Sequence, residues 1–345
     1  MRNLASIQRI KKIEPIENAD AIEKISILGW NVVSRKGEFQ ENDFCVYFEI
    51  DSMLPDDPRY EFLKKTSWNP RYNKIRLKTI RLRGVISQGL ALPLSKFPEL
   101  ETINLEEGTD VTDLLNVEKY EPIIPASLSG DVNKFTWPIT KTDEIRVQNS
   151  PEKFISELSG KPYYITIKLD GTSASFILTK VDDELQFHVC SRNYSIKYYE
   201  DNTLWQIAKK ENIEQILKDH YFETGELLSI QGEVCGPGIQ KNLLNLPEHR
   251  LFVFNIVNTE TNKKLSFDRM LEFSSKLMLV PVLEYKDSFN YSTLEELLSL
   301  SEGKYKEHIS TAIAKQEREG IVVRSQDQEI SFKVINNKFL LNGGD

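Results

Sequence analysis

The chain has 345 residues, 40% hydrophobic and 28% charged, which is enough material for two domains with their own cores. Its sequence has no run approaching the ~20 apolar residues that a membrane span needs, and a net charge of −8 argues, taken as a sum, against a nucleic-acid partner. The opening MRNLASIQRIKK has no apolar core of secretory length, so a cytoplasmic or nuclear protein that is not secreted is expected. Three cysteines, Cys45, Cys190 and Cys235, lie in apolar strand-like runs without ligand spacing, which suits buried, reduced thiols. The four histidines form no HExxH or similar cluster, so neither a zinc hydrolase nor a histidine-based triad is indicated.

From residue 4 to about 95 the chain offers short β-like runs: IQRIKKI, AIEKISILG, NVVSR, FCVYFEI, KIRLKTIRL and GLALPL. Several short strands at near-regular spacing predict a small closed or partly open barrel. Between Arg59 and Arg83 nine basic residues face a single acid, Glu61, with Tyr60, Phe62, Trp68 and Tyr72 interleaved. Cations neutralise phosphates and aromatic faces stack on bases, so this window is a candidate nucleic-acid surface inside an acidic chain; a solvated strand face is the alternative. Within it, Lys74, Arg76 and Lys78 alternate with Ile75, Leu77 and Thr79, so a continuous strand here puts its cations on one face.

The segments IEPIENADAIEKISILGW and LRGVISQGLAL resemble the opening and closing parts of the OB-type tRNA-binding domains attached to some aminoacyl-tRNA synthetases. The resemblance implies an all-β OB-type barrel, residues 1–115, that touches nucleic acid. A Pro/Gly/Ser-containing stretch around EPIIPASLSGDVN reads as a linker, residues 116–135. Beyond it the pattern changes. Candidate helices SPEKFISELSG, TLWQIAKKENIEQILKDH and SFDRMLEFSSKLM alternate with strands, which predicts an α+β domain over residues 136–345.

In that domain IKLDGTSASF places Lys168 at the end of an apolar run, followed by Asp170-Gly171. Read alone, this is equally an edge lysine before an Asp-Gly hairpin turn. Read with SRN at Ser191–Asn193, QGEV at Gln231–Val234, FVFNI at Phe252–Ile256, EGIVV at Glu319–Val323 and FKVINNK at Phe332–Lys338, the series resembles the ordered motifs of the covalent nucleotidyltransferases, the ATP-dependent ligases and mRNA-capping guanylyltransferases. The stretches WPITKTDEIRVQN, GEVCGPGIQKN and FKVINNKFLL are most similar to those of RNA ligases. An OB domain ahead of the transferase domain points to the branch that seals nicked duplexes at a 3′-OH RNA end. Capping enzymes and DNA ligases carry theirs after the last transferase motif, and only seven residues follow Lys338 here.

The resemblance implies a fold of ATP-grasp-like antiparallel sheets with flanking helices. It also implies an enzyme using ATP and Mg²⁺ or Mn²⁺, and RNA or RNA–DNA ends in a nicked duplex as partner, with a monomer expected. It assigns Lys168 as the nucleophile that carries AMP, and Lys333 and Lys338 as cations that neutralise phosphate in the transition state. Asp170 and Glu319 are assigned to a metal through water, and Glu233 to the ribose. Phe254 is the aromatic that stacks on adenine. Arg146, Gln148 and Arg192 are assigned to the nucleotide or the 5′-phosphate, with Lys333 also at the nucleotide. Ser173 stands where some relatives place an asparagine facing the nick, and Lys74, Arg76 and Lys78 are assigned to nucleic acid.

A lysine attacks phosphorus only as the neutral amine, so Lys168 must lose a proton that its carboxylate neighbours retain and that positive charge, from Lys333 or a metal, releases. Two other readings stay open: a capping-type guanylyltransferase, which domain order disfavours, and a non-catalytic RNA-binding protein, which the intact Lys168, Asp170, Glu233, Glu319 and Lys333 disfavour.

Overall fold

A computed structural model describes residues 3–121 and 142–343, and the backbone of 132–134. Most of the expected linker, and the WPIT end of the WPITKTDEIRVQN stretch, lie outside the described residues. The chain divides into two units: Met1–Pro122 with Val147–Pro151 and Leu340–Asp345, and Ile123–Arg146 with Glu152–Phe339. Among the described residues no helix is long and apolar enough to cross a membrane.

The first unit is a β structure. Its strands are β1 (Ala5–Arg9), β2 (Lys12–Pro15), β3 (Ile22–Ile27), β4 (Trp30–Arg35), β5 (Phe44–Phe48), β6 (Ser52–Leu54), β7 (Trp68–Asn69), β8 (Lys74–Arg76), β9 (Thr79–Leu82), β10 (Val85–Gln88), β11 (Leu90–Pro93) and β12 (Glu118–Lys119), with one short helix, α1 (Lys64–Ser67). They pair as β1-β5-β11, β2-β3-β4, β12-β6-β8-β7 and the hairpin β9-β10. Period-two patterning sets the faces: β3 alternates half-buried and buried residues along IEKISI, turning Ile25 and Ile27 inward. Ile7, Val46, Phe48, Leu54, Tyr60 and Ile75 form the core, with Phe48 edge-on to Tyr60 at 5.7 Å. Gly89 links β10 to β11 at φ +101°, where an added Cβ would lie 2.4 Å from the Phe48 carbonyl oxygen, so only glycine lets the chain turn against β5.

KIRLKTIRL is not one strand. It breaks after Arg76 into β8 and β9, and Leu77 is drawn inward by backbone hydrogen bonds with Ser52 and Asp51. At the tip of the β9-β10 hairpin Arg83 and Gly84 both have positive φ, 47° and 83°, the pattern of a tight two-residue turn.

The strands of the second unit are β13 (Val132–Lys134), β14 (Tyr163–Lys168), β15 (Thr172–Val181), β16 (Glu184–Ser191), β17 (Tyr194–Ile196), β18 (Leu228–Cys235), β19 (Arg250–Asn258), β20 (Lys263–Lys264), β21 (Val282–Lys286), β22 (Gly320–Ser325) and β23 (Ser331–Ile335). They form a seven-stranded antiparallel sheet, β13-β17-β16-β15-β18-β19-β20, and a four-stranded antiparallel sheet, β21-β14-β22-β23. The remaining helices are α2 (Pro151–Leu158), α3 (Thr203–Lys210), α4 (Ile213–Thr224), α5 (Phe267–Leu271), α6 (Leu294–Ser301) and α7 (Asn337–Leu341).

The expected long helix TLWQIAKKENIEQILKDH is therefore two, broken where Asn212 adopts a left-handed φ of 54°. Asn202 caps α3 by accepting from Leu204 and Trp205, and Thr293 with Glu296 forms a capping box on α6. On β15, Ala174, Phe176 and Leu178 join the buried cluster that also holds Leu204, Ile207 and Leu217 from α3 and α4. Strand alternation then turns Ser173, Ser175 and Ile177 to the opposite face.

Candidate active site

The two sheets of the second unit each deliver part of one polar cluster. Lys168 ends β14 and pairs with Gly320 on β22, which in turn pairs with Ile335 on β23. Two residues back along each strand, Thr166 pairs with Val322 and Val322 with Lys333, so Lys168 and Lys333 lie on one face of the four-stranded sheet. On the other sheet Ser173 of β15 pairs with Glu233 of β18. Gly171 and Gly320 allow the close packing: an added Cβ would meet the Val234 oxygen at 2.5 Å in the first case and the Val334 oxygen at 2.2 Å in the second.

Lys168 Nζ donates to Glu319 Oε2 at 2.8 Å, with side chains 24% and 18% exposed. Burial disfavours the ammonium, but Glu319, Glu233 and Asp170 outweigh it and raise the lysine's pKa. The carboxylates repel one another in turn. Burial first, then the charge of Glu319, pushes Asp170 up to about 7, against the pull of Lys168 and Lys241. Burial pushes Glu233 up to about 8; Lys168 opposes this, Glu319 and Asp170 add to it, and Arg192 opposes it. Three acids held beside one amine thus make a site short of positive charge, which fits a divalent cation. Among the described residues no group of three His, Cys, Asp or Glu side chains is arranged to hold a metal ion directly.

The residues expected at the nucleotide are placed as follows. Phe254 is half-buried between the buried Val253 and Asn255. It is the extra residue of a β-bulge: Gln231 pairs with Asn255 and Gly232 with Val253, leaving Phe254 between them. A bulge re-aims the side chain it carries, which separates this aromatic from the packed core of β19. Arg192 follows β16, pairs with Asp143 and lies close enough to Glu233 to lower its pKa. Arg146 is buried and forms a parallel bridge with Lys333, whose backbone N–H donates to the Ile145 oxygen at 2.8 Å. Ser173 exchanges a 2.6 Å hydrogen bond with Thr142.

Some expected residues fall elsewhere. Lys338, on α7, is exposed and pairs with Glu302 at 2.5 Å, away from the carboxylates that surround Lys168. Gln148 is buried in the first unit: its carbonyl accepts from Gly29 N at 2.8 Å, beside Asn149, which accepts from Trp30 Nε1 and donates to Glu49. Residues 136–345 are accordingly not one uninterrupted unit.

In the first unit the expected cation face is corrected. Arg76 is 5% exposed, lies 3.4 Å over the Tyr120 ring and pairs with Asp51 at 3.6 Å, while Lys74 pairs with Glu118 at 2.5 Å. The break after β8 removes the alternation that was to align them with Lys78. Instead Lys78, Arg81 and Arg83 are exposed and, among the described residues, make no ion pair.

Two polar residues near the site were given no role by the sequence. Lys241, in the loop after β18, bears on Asp170. Tyr305, fully buried, donates its hydroxyl proton to the Lys168 carbonyl at 3.0 Å and accepts from the Asp170 and Glu319 amides at 3.1 Å each. Lys241 is legible afterwards in GIQKN; nothing in GKYKEHI singles out Tyr305.

Comparison with known proteins bears on the fold and the family. A family model described as an OB-fold domain matches residues 4–94, and one described as RNA ligase matches residues 161–335. No curated protein sequence matches the chain. Among solved structures, an RNA ligase variant of Naegleria gruberi with ATP and manganese is 34% identical with a TM-score of 0.89, each chain covered in full at 100%. The same organism's RNA ligase with pyrophosphate is 34% identical with a TM-score of 0.88, covering 99% of this chain and 98% of that one. A further variant of it, with AMP and manganese, is 33% identical with a TM-score of 0.87 and 98% of both chains covered. With an N-terminal OB fold, a C-terminal α+β domain of antiparallel sheets and the lysine–carboxylate cluster at their strand ends, the chain belongs to the RNA ligase family.

Proposed function

We propose that this RNA ligase is ATP-dependent and joins a 3′-OH RNA end to a 5′-phosphate end at nicks in duplexes, through a lysyl-AMP intermediate and an adenylated 5′ end. The observation that carries the reading is Lys168 at the end of β14, ion-paired to Glu319 and surrounded by Asp170 and Glu233. ATP and manganese in the related Naegleria structures support the choice of nucleotide and metal class.

In the first step Lys168 Nζ, once deprotonated, attacks the α-phosphorus; a P–N bond forms, the bond to the β-phosphate oxygen breaks and pyrophosphate leaves. Glu319 Oε2 is the acceptor in contact with the departing proton's nitrogen. Asp170 and Glu319 would hold a hydrated divalent ion, which would supply positive charge to the phosphoryl oxygens. Lys333 presents a second cation from the same sheet face, Glu233 receives the ribose hydroxyls and Phe254 stacks on adenine. Arg192 and Arg146 serve the phosphates. AMP then passes to the 5′-phosphate, and attack by the 3′-OH releases it. Each step displaces a good leaving group at phosphorus, so positioning and charge neutralisation dominate catalysis.

The RNA is gripped by the first unit. From Phe62 to Pro98 the chain has no acid, and the outer half of the β9-β10 hairpin, Ile80 to Gly84, is exposed on both faces with Arg81 and Arg83 on it and Lys78 at its base. Cations there meet phosphates, and the exposed Ile80 and Leu82 suit the ribose-lined, shallow minor groove of an A-form helix.

Incubation with labelled ATP or GTP and Mg²⁺, followed by denaturing electrophoresis, tests the reading. An acid-labile adduct from ATP alone, chased into a sealed product by a nicked RNA duplex, is expected. An adduct from GTP alone, or no adduct, overturns it.

A further inference from the structure

We propose that Tyr305 is the positioning residue of the adenylation site: its single hydroxyl fixes the backbones that carry Lys168, Asp170 and Glu319 relative to one another. This rests on the reading of Lys168 as the nucleophile.

The three residues come from two separate parts of the chain, the end of β14 and the start of β22. The Lys168–Gly320 pairing aligns the strands, but Asp170 lies beyond β14 and Glu319 precedes β22, where ladder hydrogen bonds end. The Tyr305 hydroxyl fills that gap. Its one proton goes to the Lys168 carbonyl at 3.0 Å, and its oxygen accepts from the Asp170 N–H and the Glu319 N–H, both at 3.1 Å. A hydroxyl has one donor and two acceptor positions, so all its capacity is used on these three backbones. The ring is 0% exposed, so water does not compete for these three bonds.

The tyrosine is itself anchored. Its N–H donates to the Gln316 oxygen, Lys304 bridges Glu317, and Arg318 N donates to the Gly303 oxygen. The buried Arg318 guanidinium donates to the carbonyls of Leu300, Ser301 and Glu302 at the end of α6. The residue immediately before Glu319 therefore ties down the segment that carries Tyr305. Backbones fixed in this way keep the Asp170 and Glu319 carboxylates at constant distance from Nζ while charge moves, which is where preorganised groups gain their effect.

The test uses full-length Tyr305→Phe in single-turnover adenylation with ATP and Mg²⁺, alongside thermal melting. The maximal rate of lysyl-AMP formation by the folded protein should fall about 10- to 100-fold, the scale seen when partners that orient site residues are removed. The ATP concentration for half-maximal rate should change less than about threefold, since among the described residues the Tyr305 hydroxyl bonds backbone groups and not the side chains proposed to bind the nucleotide. Replacement by 4-aminophenylalanine, which restores a donor and an acceptor at the same place, should recover part of the rate. That variant also carries the test if Tyr305→Phe does not fold, by comparison with 4-methylphenylalanine at the same position. A wild-type maximal rate in folded Tyr305→Phe, or a loss that follows only the unfolded fraction, overturns the positioning role. A 4-aminophenylalanine enzyme no faster than the 4-methylphenylalanine enzyme does so as well. Failure of the wild-type protein to form the adduct instead counts against the proposed function.

Discussion

Lys168 Nζ sits 2.8 Å from Glu319 Oε2, so in the metal-free protein the amine proposed as nucleophile is held as an ammonium by its carboxylate neighbours. Proton loss then becomes the gate on adenylation. Lys168→Ala should abolish the adduct for lack of a nucleophile. Lys168→Arg should do the same, because the guanidinium stays protonated at any useful pH. With a raised lysine pKa the neutral fraction grows as pH rises, so wild-type adenylation at saturating ATP and Mg²⁺ should speed up from about pH 6 to about pH 9. Single-turnover rates measured across that range check it, and a flat profile together with an adduct in Lys168→Ala would place the chemistry elsewhere.

The acids around the lysine reduce stability when they ionise. Burial and mutual repulsion raise Asp170 to about 7 and Glu233 to about 8 in the folded, metal-free protein, whereas the unfolded chain ionises both near pH 4. Raised folded pKa values mean that the protonated forms stabilise the fold at low pH, and that this contribution disappears as pH rises from about 4 to about 8. Glu233→Gln should therefore raise the melting temperature of the metal-free protein at about pH 9 and change it little at about pH 4.5. Added Mn²⁺ should stabilise the wild type at the higher pH and Glu319→Ala less. Melting curves at the two pH values, with and without the ion, decide it; equal effects at both would mean the acids are not strained as described.

The sequence shows the chemistry more plainly than the geometry. KLDG, QGEV and EGIVV are legible because in each a charged residue interrupts or borders an apolar strand run: Lys168 ends β14, Glu233 lies near the end of β18 and Glu319 precedes β22. A short basic run does not reveal its partners, so Arg76 reads like Lys78 until Asp51 and Tyr120 close over it. Gln148 reads as part of the transferase domain because it is contiguous with Arg146, yet Gly29 and Trp30 hold its segment in the first unit. Tyr305 is invisible for a different reason: its hydroxyl bonds are all with backbone, and backbone partners leave no side-chain pattern in the sequence.

The Phe254 bulge gives a test of nucleotide recognition. Phe254 is half-buried and unpaired in the β-ladder, whereas its neighbours Val253 and Asn255 are buried, and stacking on the base is the role proposed for its ring. Aromatic–base stacking is worth roughly 1–3 kcal/mol, so Phe254→Ala should weaken ATP binding by about tenfold or more with the maximal adenylation rate less affected. Phe254→Trp should retain binding. If Phe254→Ala left the ATP dependence unchanged while lowering the melting temperature, the ring would be a core residue.

Gly320 separates backbone demand from chemistry. Its φ of +152° and the 2.2 Å between an added Cβ and the Val334 oxygen leave no room for a side chain between β22 and β23. Gly320→Ala should destabilise the second unit by several degrees, or on the order of 1–3 kcal/mol for a strained backbone position, and lower adenylation with it because Glu319 is displaced. Thermal melting read beside adduct yield checks this; a normal melt with normal yield would show that the strands part without cost.

The two groups of cations in the first unit should behave differently. Arg76 is buried under Tyr120 and paired with Asp51, and Lys74 is paired with Glu118, so Arg76→Ala should act on stability by removing a buried ion pair and the cation over the Tyr120 ring. Lys78, Arg81 and Arg83 have no such partners among the described residues, and they project from a hairpin whose tip is exposed. Replacing all three with glutamine should leave the melting temperature and the lysyl-AMP yield near wild type, because exposed side chains without partners cost little to change. Binding and sealing of a nicked RNA duplex should fall, and the slope of log affinity against log salt should become shallower by about 2 to 3, close to 0.9 for each phosphate that is no longer neutralised. A triple variant that binds with the wild-type slope would make the hairpin a solvated edge. The RNA would then have to be held by other exposed cations of the acid-free stretch, Lys65, Arg71 and Lys96, which the same salt titration on a Lys65→Gln, Arg71→Gln, Lys96→Gln protein would reveal.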